Sequence, residues 1–260
     1  MKKIAFHVNR SKSSAPGVRS RLAECACGCG FNVVDPADSP DVIVVLGGDG
    51  TMLSAVHLYP GVPLLGLNLG SLGYLASVEE AGFEDAITAL AEGRCRISRR
   101  TALKTRGVNA LNDVVVARGS SGHAIRLDFK VDGEYVTRFV ADGLVIATPT
   151  GSTAYSLAAG GPVLMPSSES IVVTPVCPHA LSSRPLVLRD SARMEISVDV
   201  REEGDEPAVF ADGLQVGALA AGEVLVVGKS DASVPLVELD EVNPYEVLTR
   251  KLGWSGSSIR

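Results

Sequence analysis

The sequence has neither a basic cluster nor a long apolar run. Its 24 lysines and arginines are outnumbered by 30 aspartates and glutamates, which gives a net charge of −6, and no basic block is longer than Arg99-Arg100. Such a chain does not attract polyanions, so nucleic acid and anionic membranes are excluded as its main partners. The apolar stretch 4–8 is too short for a signal peptide or a membrane span, and we expect a cytoplasmic protein.

Cysteine is scarce, with five residues in the chain, and three of them form Cys25-x-Cys27-x-Cys29. Zinc-binding pairs are usually separated by two or more residues, and no second pair follows downstream. We interpret the segment as a helix end closed by Gly28 and Gly30, with all thiols reduced.

Two well-known phosphate-binding motifs are also absent. There is no G-x-x-x-x-G-K-[ST], and both Gly28-x-Gly30 and Gly48-x-Gly50 lack the third glycine of G-x-G-x-x-G. The chain is therefore neither a P-loop protein nor a carrier of the usual dinucleotide fingerprint.

The most informative segment that is present is 42–51, VIVVLGGDGT. A β-branched apolar run predicts a buried strand, and the following glycines are expected to adopt positive φ and to let a phosphate approach the start of the next helix. Asp49 would repel that phosphate unless it holds a cation or takes a proton from a substrate hydroxyl, and both tasks belong to phosphoryl transfer. The alternative is a tight turn in which Asp49 caps the helix.

Periodicity divides the chain into an α/β part and a β-rich part. Strands are predicted at 3–8, 31–34, 42–46 and 62–67, with helices at 17–26, 52–58 and 83–91 between and after them, which is typical of a doubly wound parallel sheet. From 96–104 onward, short strands separated by Gly, Asp, Asn and Pro predict a β-rich domain. We expect domains 1–97 and 98–240, and a closing helix in 241–260 that packs back on the first domain. Asn243 should cap that helix, Gly253 should end it, and the tail 255–260 should fray.

The segment 142–162 repeats the strand-turn-helix pattern with many hydroxyls. Thr150, Ser152, Thr153 and Ser156 crowd the start of a short predicted helix, and caps account for only one or two of them. Tyr155 adds a flat face that could stack on a nucleoside. The alternative is a well-capped structural helix.

Asn112-Asp113 lies at the head of the apolar run 114–116. Side chains that accept and donate in a fork suit the vicinal hydroxyls of a ribose. An ordinary turn explains the same dipeptide. His179, in the polar loop 178–185, is interpreted as structural, because no nucleophile motif accompanies it.

Taken in order, several segments resemble those of one family, the NAD kinases. They are Gly-Gly-Asp-Gly-Thr at 47–51, the glycine-rich stretch 66–75, Leu-Asn-Asp at 111–113, the long Thr/Ser/Gly segment 142–162 and the loop 178–185. The Gly-Gly-Asp-Gly turn is shared with diacylglycerol and sphingosine kinases, whereas the segment 142–162 is specific.

The resemblance implies transfer of the γ-phosphoryl group of ATP, or of polyphosphate, to the 2′-hydroxyl of the adenosine ribose of NAD, with Mg²⁺ or another divalent cation. Asp49 would be the general base, with a role as metal ligand left open. The phosphate-donor turn would be Gly47, Gly48, Gly50 and Thr51. The residues implied in NAD binding are Asp49, Gly50, Asn112, Asp113, His123, Asp142, Thr153, Ala154, Tyr155, Ser156, Leu157, Ala158 and Gln215.

Two positions depart from the family pattern. Val140 stands where an Arg or Lys often precedes Asp142, and Leu214 separates Asp212-Gly213 from Gln215. The resemblance also implies a homodimer or homotetramer. Two alternatives remain open: a lipid kinase of the diacylglycerol or sphingosine type, and a dinucleotide-binding regulator without catalysis.

Overall fold

The computed structural model describes residues 2–9, 11–70, 73–76, 78–119, 122–199, 206–240 and 243–254. The predicted tail 255–260 lies outside these residues, as does part of the glycine-rich stretch, at 71–72. Contacts divide the chain into two compact units, 1–99 with 234–260, and 100–233.

The first unit contains a six-stranded sheet in the order β2-β1-β3-β4-β18-β5. Its strands are β1 (Lys3–Val8), β2 (Asn32–Val33), β3 (Val42–Gly47), β4 (Leu64–Asn68), β5 (Cys95–Arg100) and β18 (Val234–Leu239). The pairings of β1 with β2, β1 with β3, β3 with β4, and β4 with β18 are parallel. The predicted parallel sheet is confirmed.

Helices cover both faces of this sheet. They are α1 (Ala15–Gly28), α2 (Asp49–Leu58) and α3 (Phe83–Glu92), and a further helix of this unit is α5 (Pro244–Leu252). Val44 and Leu46 of β3 belong to a core cluster with α1 and α3, whereas Ile43 and Val45 belong to a second cluster with Met52 of α2. Because successive side chains of a strand point to opposite faces, the fully apolar β3 is explained by burial on both sides.

The closing helix α5 contacts the first unit, as predicted. Asn243 Oδ1 accepts the N–H of Tyr245 at 3.0 Å, and Gly253 ends the helix with φ +64°. Arg250 donates to Glu79, and the Lys251 ammonium lies 4.9 Å from the centre of the Tyr74 ring.

The second unit consists of two six-stranded sheets in the orders β10-β9-β14-β17-β6-β7 and β13-β12-β11-β8-β15-β16. The strands of the first are β6 (Leu103–Thr105), β7 (Val108–Ala110), β9 (Ile125–Val131), β10 (Glu134–Ala141), β14 (Met194–Val198) and β17 (Val224–Lys229). Those of the second are β8 (Asp113–Ala117), β11 (Gly143–Ala147), β12 (Ser170–Val176), β13 (Leu186–Arg189), β15 (Ala208–Ala211) and β16 (Leu214–Ala218). Apolar residues of both sheets, such as Phe129 and Val116, form one core cluster, and the short helix α4 (Tyr155–Ala158) follows β11.

Two strands differ from the sequence-based expectation. The predicted strand 96–104 is wrong, because β5 belongs to the first sheet and β6 to the second unit. No strand was predicted at 234–239, yet β18 pairs with β4. Arg96 bonds to Glu238 of β18, a partner that no local pattern indicates. The compact units therefore divide after Arg99 and Ser233, and the predicted boundaries fall at 97 and 240.

Candidate active site

The glycine turn joins β3 directly to α2. Gly48 is extended, with φ −127°, and α2 begins at Asp49, three residues earlier than predicted. The expectation of positive φ at Gly47, Gly48 and Gly50 is wrong, since none of the three adopts it. One extended residue is enough to connect strand and helix. Gly47 is required for space instead, because a Cβ there would overlap the side chain of Thr51.

An open cleft of about 480 Å³ lies beside this turn. It is formed at the carboxyl ends of β1 and β3 and at the start of α2, by His7, Val8, Asn9, Lys12, Gly48, Gly50, Thr51 and Ser54. Side chains at Gly48 or Gly50 would meet no other atom within 4 Å, so a ligand can approach the backbone there. The N–H groups and the positive dipole end of α2 favour an anion.

Lys12 and Asn9 are cleft residues that the motif-based reading did not identify. Lys12 contributes an exposed ammonium group. Asn9 Nδ2 donates to Thr51 Oγ1 at 3.2 Å, and Thr51 Oγ1 also accepts the N–H of Gly48 at 3.4 Å. The usable signal was that both residues follow a strand of a parallel sheet, where ligands bind.

The carboxylate of Asp49 is held by three consecutive backbone N–H groups. Its Oδ2 accepts from Tyr74 at 2.9 Å, and its Oδ1 accepts from Leu75 at 2.9 Å and Ala76 at 3.2 Å. A Cβ at Gly73 would overlap this carboxylate. Three hydrogen bonds from consecutive backbone N–H groups leave the side chain little freedom to rotate, so the segment 74–76 fixes the orientation of Asp49.

In the second unit the structure brings Asn112 and the turn before α4 together. The Asn112 carbonyl accepts the N–H of Thr148 at 2.9 Å, and Thr148 Oγ1 bonds to the Leu111 carbonyl at 2.5 Å. A Cβ at Gly151 would overlap the backbone of Asn112. The two motifs that were separate in sequence therefore form one surface.

Asp113 is the buried member of this surface, with 7% of its area exposed. Burial, and secondarily the negative charge of Asp212, raise the pKa of Asp113 to about 7. The carboxyl group thus changes its charge near neutral pH.

The hydroxyls of segment 150–158 divide into interior and surface groups. Ser152 and Ser156 are fully buried: Ser152 Oγ bonds to the Pro149 carbonyl at 2.7 Å, and Ser156 Oγ to Thr174 Oγ1 at 2.9 Å. Both hydroxyls satisfy interior polar groups, so the prediction of Ser156 as an NAD contact is corrected for its hydroxyl, whereas Ser152 had no assigned contact. Tyr155 is 46% exposed and keeps a free face for stacking. Partly or fully accessible positions in the same segment are Thr153, Ala154, Leu157 and Ala158.

Asp142 and the neighbourhood of His123 are linked by Arg118. Its Nη1 donates to Asp142 Oδ1 at 3.0 Å and to the Gly122 carbonyl at 2.7 Å. His123 is exposed next to that carbonyl. Arg118 therefore places a basic group next to Asp142. The family pattern often has that basic group at position 140, which is Val140 in this chain.

Gln215 lies on β16, opposite Phe210 of β15 and exposed. The pairing shifts between Val209 and Phe210, since Val209 pairs with Gly217. This β-bulge places one additional residue on β16, as bulges do.

The residues present were tested for a divalent cation. No group of three His, Cys, Asp or Glu side chains assembles within the ranges that the structure describes. Asp49 Oδ2 accepts one N–H and so keeps a lone pair. This donor set fits Mg²⁺ that is bound mainly by substrate phosphates and by one carboxylate.

None of the helices in the described ranges is both long and apolar enough to span a bilayer.

The chain was then compared with known proteins. Residues 33–95 match the family model of the ATP-NAD kinase N-terminal domain, and residues 111–239 match that of the ATP-NAD kinase C-terminal domain. NAD kinases of Syntrophotalea carbinolica and Gemmatimonas aurantiaca are each 42% identical to it. The first alignment covers 82% of this chain and 78% of the relative, and the second 86% and 81%.

Two solved structures have the same fold. Yeast NADH kinase complexed with NADH superposes with a TM-score of 0.87 at 26% identity, covering 100% of this chain and 89% of that one. An NAD kinase from Archaeoglobus fulgidus in complex with ATP gives 0.83 at 25% identity, covering 98% and 100%. With both family models matched in order and relatives above 40% identity over most of its length, the chain belongs to the ATP-NAD kinase family.

Proposed function

We propose that this NAD kinase transfers the γ-phosphoryl group of ATP to the 2′-hydroxyl of the adenosine ribose of NAD, with Asp49 as the general base. The assignment rests on one observation: Asp49 lies in the first turn of α2, and the N–H groups of Tyr74, Leu75 and Ala76 hold its carboxylate in place. A helix cap would not need a separate segment to hold it in place.

The donor phosphates occupy the cleft at the start of α2. Gly48, Gly50 and Thr51 of the donor turn line this cleft, with Gly47 directly before them in the chain, and Lys12 offers a cation to the negative phosphoryl oxygens. The backbone N–H groups of the turn and the Lys12 ammonium would both stabilise the negative charge that spreads over the transferred phosphoryl group in a loose transition state. Polyphosphate also carries a terminal phosphoryl group that this cleft could bind. Replacing ATP by polyphosphate in the assay therefore shows which of the two donors the protein uses.

Asp49 accepts the proton of the attacking hydroxyl. Oδ2 keeps a lone pair after bonding to Tyr74, and that lone pair receives the 2′-hydroxyl. The ribose oxygen forms its bond to the γ-phosphorus, the bond from the γ-phosphorus to the bridging oxygen breaks, and ADP leaves with that electron pair. A base that does not need to reorient contributes typically 10²–10⁴-fold.

Mg²⁺ or another divalent cation, bound mainly by the donor phosphates, would neutralise phosphate charge. Asp49 is the residue that could supply a protein ligand to it.

In the second unit, NAD binding is assigned residue by residue. Asn112 and Asp113 hold ribose hydroxyls, and Tyr155 stacks on the adenine with Thr153, Ala154, Leu157 and Ala158 around it. Ser156 is fully buried with its hydroxyl bonded to Thr174, so we assign it the role of shaping this part of the site from within. Asp142, His123 and Gln215 are proposed for the nicotinamide half, with Arg118 as the added basic group.

Purified protein incubated with NAD, ATP and Mg²⁺ tests this function. NADP, measured with an NADP-specific dehydrogenase, is expected above a protein-free control, and its absence would refute the proposal. Parallel reactions with polyphosphate identify the donor, and reactions with diacylglycerol vesicles test the lipid alternative.

We also propose a cytoplasmic homodimer or homotetramer. The edge strand β16 exposes Leu214 and Gln215, which supports pairing with another copy. Specific activity should then fall on dilution, and NAD should slow that fall. A stable monomer in light scattering with dilution-independent activity contradicts the assembly.

A further inference from the structure

The turn between β15 and β16 holds an aspartate whose charge the backbone does not require. Asp212 has φ +49° and Gly213 φ +80°, the conformation of a type I′ hairpin turn. Asn-Gly suits this turn as well as Asp-Gly. The carboxylate must therefore be explained by what it contacts.

Asp212 binds the backbone of the Asn112-Asp113 segment, about a hundred residues earlier in the chain. Its Oδ2 accepts the N–H of Leu111 at 2.7 Å, and its Oδ1 accepts those of Asn112 at 2.7 Å and Asp113 at 3.2 Å. In return, the N–H of Asp212 donates to the Asp113 carbonyl at 3.0 Å. Four hydrogen bonds thus fix the backbone from which both side chains project.

The same carboxylate sets the electrostatic environment of Asp113. Asp113 starts β8, which lies between β11 (Gly143–Ala147) and β15 (Ala208–Ala211), and neither neighbouring strand carries an ionisable side chain. Asp212 at the end of β15 is the charged group whose field raises the pKa of Asp113, after burial itself.

We propose that Asp212 is a positioning residue for NAD, which orients Asn112 and Asp113 toward the ribose hydroxyls. The charge of Asp212 also contributes to the raised pKa of Asp113, so it affects the pH above which Asp113 binds those hydroxyls as a carboxylate. An ionised carboxylate accepts two hydroxyl donors more strongly than a neutral acid does. NAD affinity should therefore rise as pH increases through neutrality. This inference rests on the proposed function only for the identity of the ligand.

The test separates position from charge with two variants. Asp212→Asn preserves the turn and one acceptor oxygen but removes the charge. We expect a KM for NAD about tenfold higher with kcat little changed, and a pH midpoint of NAD affinity shifted to lower pH, because the pKa of Asp113 falls. Asp212→Glu keeps the charge on a longer side chain, so affinity should fall while the pH midpoint stays near that of the wild type.

The chain offers a matched control turn. Asp132-Gly133 joins β9 to β10 with φ +51° and +86°, and among the described residues Asp132 Oδ1 accepts one N–H, that of Arg193 at 2.9 Å, which belongs to neither of the proposed NAD-binding segments. Asp132→Asn should leave NAD affinity and its pH profile unchanged.

NAD binding is measured by calorimetry as well as by rates, with circular dichroism as the check on folding. Unchanged affinity and pH midpoint in Asp212→Asn would overturn the inference while leaving the proposed function intact. An equal loss in Asp132→Asn would also overturn it. If Asp212→Asn fails to fold, Asp212→Glu decides, since wild-type affinity there contradicts positioning. A wild-type protein that forms no NADP would instead refute the proposed function.

Discussion

Each unit contains one aspartate that receives three consecutive backbone N–H groups, but the two carboxylates differ in what lies next to them. Asp49 binds the segment 74–76 and stands in the chain between Gly48 and Gly50, which line an open cleft together with a lysine. Asp212 binds the segment 111–113 and borders a second, buried carboxyl group. We propose that in the first case the backbone holds the reacting group, and that in the second the carboxylate holds the backbone that binds the ligand. One local geometry would then serve chemistry in one unit and recognition in the other.

The largest expected effect comes from removing the reactive carboxylate. Asp49→Asn keeps the shape but cannot accept the hydroxyl proton, so kcat should fall by roughly 10²–10⁴ with little change in NAD affinity. Steady-state rates and calorimetry provide the two measurements.

Asp85→Asn is the control, since Asp85 is an exposed carboxylate in the first turn of α3. A near-normal kcat in Asp49→Asn would remove Asp49 from the mechanism. A change only in the Mg²⁺ requirement would make it a metal ligand.

A smaller loss should follow when Asp49 is displaced but not removed. In Gly73→Ala the new methyl group overlaps the Asp49 carboxylate, so the base moves out of line and kcat should fall roughly 10²-fold. Gly82→Ala, whose methyl group would lie 3.5 Å from a Val78 side-chain carbon, should keep wild-type rates. Equal rates in both variants would show that the orientation of Asp49 is unimportant.

Lys12 tests whether the cleft beside Asp49 binds the phosphates of ATP. Lys12→Gln removes the ammonium from the cleft, and the KM for ATP should rise about three- to tenfold while the KM for NAD stays the same. The effect should shrink at high salt, because Lys12 is exposed. Lys2→Gln, just before β1, is the control, and an equal change there would mean that net charge alone is responsible.

The buried carboxyl group of the second unit should cost stability at neutral pH. The pKa of Asp113 rises from 3.8 to about 7, so the folded state keeps a proton that the unfolded chain releases. Stability from this group is present at low pH and is lost as pH rises through that window. About three pKa units at 1.36 kcal/mol each give at most about 4 kcal/mol.

Asp113→Asn should therefore raise the free energy of unfolding above pH 7 by about 1–4 kcal/mol relative to wild type, and by much less near pH 4. Urea denaturation at both pH values measures this difference. An equal difference at both would show that Asp113 does not titrate with folding.

Local patterns predicted most elements that position the site. The apolar run of β3, the Asn243 cap and the Gly253 terminus depend on neighbouring residues, so the sequence reveals them. The contacts of Asp49 with Tyr74 and of Asp212 with Leu111 could not be predicted, because they join residues 25 and 101 positions apart. The contact of the Ser156 hydroxyl could not be predicted for the same reason, since its partner Thr174 lies on the later strand β12.

The most direct test of this division of roles measures NAD affinity and kcat together in Asp49→Asn and Asp212→Asn. The account predicts that the first variant loses kcat and retains NAD affinity, and that the second loses NAD affinity and retains kcat at saturating NAD. Losses in the same parameter for both variants, or the reverse pattern, would contradict it.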